Sequence, residues 1–217
     1  MRVMEKIEIK YSKKEVPYNL AIQKMEKRAL DISLCKKNDL IWFLNHDHIY
    51  TMGTSSTPTD ILSETKIPIV KTNRGGKITY HGPGQRIAYF LINLKNHKDI
   101  RKFVRVIENS AIKLLGEFNI KASTFPNRIG IWVTENQNIK LDKEEKIGAI
   151  GLRIKKWVTY HGLSFNLNPD LTYYKNINPC GLSEYSSTSM KKLGVNLSNK
   201  DFDKIYLKYF IQGLSKL

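Results

Sequence analysis

Residues 146–168 read "KIGAIGLRIKKWVTYHGLSFNLN". Both halves alternate in polarity over the length of a strand, so the stretch predicts an antiparallel pair, "KIGAIGLRI" and "KWVTYHGLSFNLN". Alternate residues of a strand share a face of the sheet. One face of the second strand is therefore expected to carry Trp157, Thr159, His161, Leu163, Phe165 and Leu167.

The first strand of this pair is poor in bulky side chains. Lys146 alternates with Gly148 on one side and small residues occupy the other, which leaves room for a ligand. An exposed strand lysine is the commoner interpretation of Lys146. A partly desolvated lysine could instead act as a general base or as a cation beside a nucleophile.

A second glycine-containing stretch is "TNRGGKITYHGPGQ", residues 72–85. Pro83 and Gly84 fit the two central positions of a type II turn, which predicts that "KITYH" folds back against "RIAYF". Gly75 and Gly76 precede the strand, where missing side chains let backbone N–H groups approach a ligand. A bulge or a tight bend explains these two glycines equally well.

Strand alternation within this stretch separates its side chains. Lys77, Thr79 and His81 are expected on one face, and Ile78 and Tyr80 on the other. His81 lies next to the glycine turn and is either a packed structural histidine or a site residue, and the residues alone leave both interpretations open.

The rest of the chain predicts helices that lie outside a sheet. Apolar spacing predicts helices over residues 17–36 and 100–116, and "SNKD" resembles a capping box before a last helix. "RIAYFLINL" is apolar on both faces and predicts a central strand, whereas "NQNIKLDKEE", residues 136–145, predicts a polar hairpin loop. We expect one α+β domain over residues 1–217, with a mixed, mostly antiparallel sheet and flanking helices.

The composition limits the possible partners and compartment. The 36 lysines and arginines exceed the 20 acidic residues and give a formal charge of +16, which favours anionic partners or simply a solvated lysine surface. A nucleic-acid-binding module would explain this charge, but zinc-finger spacing and RNA-binding aromatic signatures are missing, so we expect no nucleic acid. Glu5 and Glu8 interrupt the segment where a signal peptide needs an apolar core, and no apolar run has the length of a membrane span. A cytoplasmic protein with no membrane partner is expected.

Two cysteines exclude a disulfide framework and leave the role of each thiol to be explained. Cys180 lies between a proline and a glycine in "NPCGL" and is either a buried structural thiol or an accessible nucleophile. Cys35 lies near a helix end and is expected to be structural. His46 and His48 share a strand face in "NHDH", but two histidines without a cysteine cluster are a weak zinc signal, so we expect no metal.

Three separated motifs carry a family resemblance. "RGGKITYHGPGQ", "KIGAIGLRIKKWVTYHGLSFNLNPDL" and "NPCGL" resemble the octanoyltransferases of lipoate biosynthesis, from about Leu40 to Leu193. The resemblance implies a fold related to biotin and lipoate protein ligases, with Cys180 as the acylated residue and Lys146 as its basic partner. It also implies a substrate-binding surface that consists of Arg74, Gly75, Gly76, Lys77, Ile78, Thr79, Tyr80, His81, Ala149, Ile150, Gly151, Gly162, Leu163 and Ser164.

The implied reaction moves an octanoyl group from acyl carrier protein to a lysine of a lipoyl domain. Expected acceptors are the lipoyl domains of 2-oxoacid dehydrogenase and glycine cleavage proteins, and no cofactor is implied. Both protein partners are typically acidic, so Arg153, Lys155 and Lys156 are candidate rim residues. An ATP-dependent lipoate or biotin ligase of the same fold is the nearest alternative, but it needs no nucleophilic thiol. The chain departs from the family where "NHDH" replaces a Glu-His-Pro-Pro run.

Overall fold

A computed structural model of the chain describes residues 7–126, 128–179 and 185–217. These residues form three α-helices, α1 (Tyr18–Ser33), α2 (Ile100–Gly116) and α3 (Asn199–Leu214), and two short 3-10 helices at Pro58–Asp60 and Leu171–Asn176. The ten strands are β1 (Ile7–Tyr11), β2 (Asp39–Leu44), β3 (Ile49–Met52), β4 (Ile69–Lys71), β5 (Thr79–His81), β6 (Gln85–Leu91), β7 (Ile120–Phe125), β8 (Arg128–Asn136), β9 (Ile139–Lys155) and β10 (Val158–Asn166).

Two sheets organise the described chain. The larger has seven strands in the order β1-β2-β6-β10-β9-β8-β7, in which the β1–β2 pair is parallel and the other pairs are antiparallel. The smaller has the order β4-β3-β5, with β4 parallel and β5 antiparallel to β3. The predicted α+β class, the β9–β10 pair and the central position of β6 are all confirmed. Strand β1 was not predicted.

Helices cover both faces of the larger sheet. On one face α2 and α3 pack against the sheet, and Phe90 of β6 stacks on Phe210 of α3 with ring centroids 4.6 Å apart. On the other face Ala21 and Met25 of α1 pack near Trp42 of β2. The apolar spacing along each helix produces these buried stripes. No helix among the described residues is both long and apolar enough to cross a membrane.

The end of α1 differs from the prediction. The helix stops at Ser33 rather than at residue 36, because Cys35 adopts a left-handed backbone with φ of 56° and its N–H bonds to the Ile32 carbonyl. A left-handed residue closes a helix. Cys35 is exposed, so the expectation that it is a packed structural thiol is wrong.

The turn at Gly82–Gln85 has the predicted form, but β5 and β6, the two strands that it connects, do not pair with each other. Gln85 N–H donates to the Gly82 carbonyl at 3.1 Å and Gly84 has φ of 84°, as a type II turn requires. The predicted pairing of β5 with β6 is nevertheless wrong. Both edges of β6 are occupied by β2 and β10, so β5 pairs with β3 in the smaller sheet.

The predicted hairpin loop over residues 136–145 is also wrong. Gln137 and Asn138 have φ of 49° and 65° and form a two-residue turn between β8 and β9. Such a turn matches the twist of the flanking strands. The polar residues from Ile139 to Glu145 therefore continue β9 instead of forming a loop.

Three left-handed residues change the expected face of β10. Lys156 and Trp157 have φ of 50° and 64° and form the β9–β10 turn, so Trp157 lies before the strand. His161 has φ of 63°, and its ring stacks on Tyr160 rather than joining the α2–α3 core. Only the remaining apolar members of the predicted face, Leu163, Phe165 and Leu167, lie in that core.

A β-bulge interrupts the predicted alternation of Lys146 with Gly148. Trp132 of β8 pairs with Lys146, but the next residue, Ile131, pairs with Gly148. Ile147 is the extra residue of the bulge and is fully buried. A bulge redirects side chains locally. Because Lys146 and Gly148 pair with adjacent residues of β8, they lie on opposite faces, and the predicted sharing of one face is wrong.

Candidate active site

A cavity of about 420 Å³ lies where the smaller sheet meets β9 and β10. Within the predicted substrate-binding surface, every residue except Tyr80 lines it. The lining members are Arg74, Gly75, Gly76, Lys77, Ile78, Thr79, His81, Ala149, Ile150, Gly151, Gly162, Leu163 and Ser164. Lys146 and Pro179 line it too. Tyr80 lies on the other face of β5, stacked on Tyr173 with centroids 4.9 Å apart, as strand alternation predicts.

Backbone contact between two segments shapes one wall. Gly75 N–H donates to the Leu152 carbonyl at 3.0 Å. A Cβ at Gly151 would lie 2.9 Å from the Gly75 oxygen and 3.1 Å from Cδ of Arg74. Only glycine permits this approach without a shift of the neighbouring chain. The glycines of both motifs therefore have a common role, which is to bring the Arg74–Gly76 segment onto β9.

Arg74 is a buried cation in this wall. Its Nη2 donates to the Thr51 carbonyl at 2.5 Å and to Thr51 Oγ1 at 2.8 Å, and its Nη1 donates to the Gly75 carbonyl at 3.0 Å. Burial lowers the pKa of Arg74 from its ordinary value. These bonds fix the guanidinium and keep positive charge next to the cavity.

Three buried imidazoles lie near one another in this region, and two of them, His81 and His161, are close enough to Arg74 to feel its charge. His46 is hydrogen-bonded to the Val16 carbonyl and to Tyr89 Oη, both at 2.6 Å, and its ring centroid lies 5.8 Å from that of His81. Burial lowers the pKa of His46 to about 4 and that of His161 to about 3. Burial also holds the pKa of His81 well below its ordinary value. All three rings are therefore neutral at pH 7, and those of His81 and His161 form an uncharged polar part of the cavity wall.

His46 and His48, which the sequence places on one face, have separate partners. His48 Nδ1 bonds to Tyr80 Oη at 2.8 Å, on the far side of β5. Among residues 7–126, 128–179 and 185–217, no group of three or more His, Cys, Asp or Glu side chains has the arrangement of a metal site.

Lys146 is fixed by its backbone and by its neighbours. Its N–H donates to the Ser186 carbonyl at 2.9 Å, and its carbonyl accepts from Thr188 N–H at 2.8 Å. Its Nζ lies 5.4 Å from the centroid of the Trp132 ring. A Cβ at Gly130 would lie 2.5 Å from Cε of Lys146, so Gly130 provides the space for this side chain.

Cys180 lies outside the described residues, but the chain before and after residues 180–184 is described. Asn178 N–H donates to the Asp60 carbonyl at 2.7 Å, and Pro179 lines the cavity. Tyr185 packs edge-on against Trp132 with centroids 5.3 Å apart. The segment before residues 180–184 is thus held by the 3-10 helix at Pro58–Asp60, and the segment after them packs against β8, the strand that pairs with Lys146.

Several residues of the cavity were not predicted from the sequence. Val104 and Glu108 reach it from α2, and burial raises the pKa of Glu108. Arg128 also lines it, with its guanidinium carbon 4.0 Å from the centroid of Phe125 and its Nη1 3.2 Å from a carboxylate oxygen of Glu144. For α2 the sequence does contain a signal. Glu108 is a charged residue at the edge of the apolar stripe, one turn after Val104, and could have indicated that this helix contributes to a site.

Comparison with known proteins assigns the chain to a family. A family model described as "Lipoyl protein ligase A/B catalytic domain" matches residues 16–211. An octanoyltransferase from Ehrlichia canis is 44% identical over 206 residues, which cover 94% of each chain. The chain belongs to the octanoyltransferase family. As a member, it is an acyltransferase of lipoate biosynthesis, as the sequence predicted. An octanoyltransferase from Zymomonas mobilis is 40% identical over 215 residues, 97% of each chain.

Solved structures show that the octanoyltransferase fold is shared with ligases. A bipartite lipoate protein ligase from Thermoplasma acidophilum has a TM-score of 0.69 at 14% identity, covering 95% of this chain and 83% of that one. Lipoate-protein ligase A bound with ATP has a TM-score of 0.69 at 17% identity, covering 96% and 86%. Biotin protein ligase from Aquifex aeolicus has a TM-score of 0.50, covering 82% and 60%. The expected relation to lipoate and biotin ligases is confirmed at the level of the fold.

Proposed function

We propose that the chain, as one catalytic domain, transfers an octanoyl group from acyl carrier protein to a lysine of a lipoyl domain through a thioester on Cys180. The main support is the arrangement at one end of the cavity. Lys146 and Pro179, the residue before Cys180, line the same space as the glycine-rich segments. The Thermoplasma neighbour was studied with its E2 lipoyl domain, which supports lipoyl domains as acceptors.

In the first half-reaction the Cys180 thiol loses its proton to Lys146 and attacks the carbonyl carbon of the donor thioester. A new C–S bond forms and the C–S bond to the donor breaks. The departing thiolate receives the proton back from Lys146. Exchange of one thioester for another is nearly balanced in free energy, so the chemistry needs no ATP.

In the second half-reaction the lysine amine of the lipoyl domain attacks the Cys180 thioester. A C–N bond forms, the C–S bond breaks, and Lys146 accepts a proton from the attacking amine and returns it to the Cys180 thiolate. The product is an amide, which makes this step downhill. The same pair of residues therefore serves both half-reactions.

Backbone N–H groups of β9 are candidate stabilisers of the tetrahedral oxyanion. The β8–β9 ladder ends at the Ile131–Gly148 pair, and Leu152 O accepts from Gly75 N–H on the same edge of β9. Alternate residues of a strand present their amide groups to the same edge. We therefore assign Ile150 N–H, between Gly148 and Leu152, as an oxyanion donor.

The cavity also suits the acyl chain. Its volume of about 420 Å³ lies within the usual range for small-molecule sites. Ile78, Ile87 and Leu163 give part of the lining an apolar character. Each methylene that is buried there would contribute about 0.8 kcal/mol to binding.

Intact-protein and peptide mass spectrometry after mixing with octanoyl acyl carrier protein tests the mechanism. We expect one octanoyl adduct on Cys180 that disappears when a lipoyl domain is added and does not form in Cys180→Ala. Cys35→Ala is the matched control, because Cys35 is the other thiol and is exposed. This variant should form the adduct like the wild type.

The ligase alternative predicts a different pattern in the same experiment. It predicts no adduct on either cysteine, together with release of pyrophosphate when ATP and free octanoate are supplied. It also predicts that Cys180→Ala still octanoylates the lipoyl domain. That combination would exclude the thioester mechanism.

A further inference from the structure

One side of the cavity is bordered by a basic edge of α2. Val104 and Glu108, one turn apart on this helix, line the cavity. Arg101 and Arg105 are exposed and lie three residues before and one residue after Val104. At 100° per residue these four positions fall within one 100° arc of the helix surface. The two arginines therefore stand next to the cavity-lining stripe, on its solvent side.

The neighbouring part of the cavity wall is apolar and partly open to solvent. Ile129 lines the cavity with 62% of its surface exposed. Ile150 and Leu152 also line it and are only half-buried. Together these three side chains give the open edge of the cavity an apolar surface that a protein partner could cover.

The charges on this edge lack a close ion-pair partner within the described part of the chain. Across residues 7–126, 128–179 and 185–217, neither Arg101 nor Arg105 forms a salt bridge. The nearest acidic group on their face of the helix is Glu108, whose pKa is raised by burial and only partly lowered by Arg105. The helix edge thus presents two guanidinium groups about one turn apart.

We propose that this edge of α2, together with Ile129, is the docking surface for the acidic protein that delivers the acyl thioester. This inference rests on the proposed function, because it assigns a surface to the donor of that reaction. Carboxylates of the donor would pair with Arg101 and Arg105, whose planar forks bind carboxylates in a bidentate manner. Apolar donor side chains would cover Ile129, and the thioester-bearing arm would enter the cavity beside Val104.

The test measures the rate at which octanoyl acyl carrier protein acylates Cys180. Mass spectrometry gives this rate at low and at high salt. The double variant Arg101→Glu/Arg105→Glu should load about tenfold more slowly at low salt, since steering charges change association rates by tenfold or more. Its rate should also depend less on salt. Arg101→Gln/Arg105→Gln should lie between this variant and the wild type.

Two controls separate docking from chemistry. Lys200→Glu/Lys204→Glu on α3 makes the same charge change at the same helical spacing, and neither lysine lines the cavity. This variant should load at nearly the wild-type rate. Octanoyl-pantetheine, which carries the thioester without a protein, should load the arginine variants and the wild type equally.

Three outcomes would overturn the docking surface. One is unchanged loading by the protein donor, and another is an equal loss with octanoyl-pantetheine. The third is a loss confined to discharge onto the lipoyl domain, which would make this edge the acceptor's surface. Failure of both thioesters to acylate wild-type Cys180 would instead refute the proposed function itself, so the two failures are distinguishable.

Discussion

Gly151 shows how a single residue controls the cavity. It lies opposite Gly162 in the β9–β10 pair and against the Gly75 carbonyl and the Arg74 side chain. We expect Gly151→Ala to move the Arg74–Gly76 segment, to lower the free energy of unfolding by about 1–3 kcal/mol, and to slow acylation of Cys180. Urea denaturation and the mass-spectrometric loading assay measure the two effects.

Gly116→Ala is the control for this substitution. A Cβ at Gly116, the last residue of α2, has no atom within 4 Å outside its own helix. The variant should be unchanged or more stable by up to about 1 kcal/mol, and should load Cys180 normally. If Gly151→Ala and Gly116→Ala have the same stability and the same rate of Cys180 acylation, the close approach at Gly151 contributes to neither property.

The buried histidines predict a loss of stability in acid. In the unfolded chain they take up a proton near pH 6.5, but in the folded chain the pKa of His46 is about 4 and that of His161 about 3. Their contribution is complete above pH 6.5 and is lost as the pH falls toward the folded pKa values, by at most about 1.4 kcal/mol per pH unit for each histidine. Asp39, whose pKa burial raises to about 6, acts in the opposite direction below that pH.

Urea denaturation at pH 7.5, 6.5 and 5.5 measures this dependence. The free energy of unfolding should be nearly constant between the first two values and clearly lower at the third. His161→Asn should reduce the slope below pH 6.5, whereas His97→Asn, at an exposed position, should keep it. An unchanged slope in His161→Asn would show that His161 is not a buried neutral group.

At the residue scale the sequence predicts the face of most strand side chains, but not the direction of every one. Strand alternation correctly separates Tyr80 from Thr79 and His81, because β5 is a regular strand. The same rule fails at His161, where a left-handed backbone turns the ring toward Tyr160. A positive φ at a residue other than glycine has no reliable sequence signal.

At the scale of elements the β9–β10 turn is a point of backbone strain. Lys156 and Trp157 are both left-handed, a conformation that asparagine and glycine accept more easily than lysine or tryptophan. We expect Lys156→Asn to raise the free energy of unfolding by about 0.5 kcal/mol, because asparagine relieves part of this cost. Thermal or urea denaturation gives the value.

Lys155→Asn is the matched control, since Lys155 is the neighbouring exposed residue at the end of β9. Asparagine is unfavourable in strands, so this change should be neutral or destabilising. Equal effects at residues 155 and 156 would mean that the turn conformation is not the cause.

The β8–β9 turn explains why the sequence did not predict the full length of β9. The polarity of the 136–145 segment predicts a loop, yet the turn needs only Gln137 and Asn138. The long β9 then continues through polar residues that the apolar-pattern rule does not recognise. By contrast, α2 was predicted with its observed bounds, because its apolar residues recur without interruption.

At the scale of the molecule one buried ion pair fastens α3 to the larger sheet. Arg86 of β6 donates from Nε and Nη2 to the two carboxylate oxygens of Asp203 at 2.8 and 2.6 Å, and both side chains are almost fully buried. Asp203→Ala should lower the free energy of unfolding by about 3–5 kcal/mol, because it leaves the guanidinium buried without a counter-charge.

The double variant Arg86→Met/Asp203→Leu tests this cause. Removing both charges together should restore most of the lost stability. Chemical denaturation of Arg86→Met, Asp203→Leu and the double variant gives the coupling energy. If the effects of the single variants simply add, the pair contributes no specific coupling.

The anchors on either side of residues 180–184 have a kinetic consequence. Asn178 is held by Asp60, and Ser186 is held by Lys146. Only residues 179–185 span these fixed points, and a chain extends by at most about 3.5 Å per residue. If Cys180 carries the octanoyl group as proposed, these anchors would keep that group close to the cavity, so that it is passed on near the place where it was received. Donor and acceptor would then have to take turns, which is the origin of ping-pong kinetics.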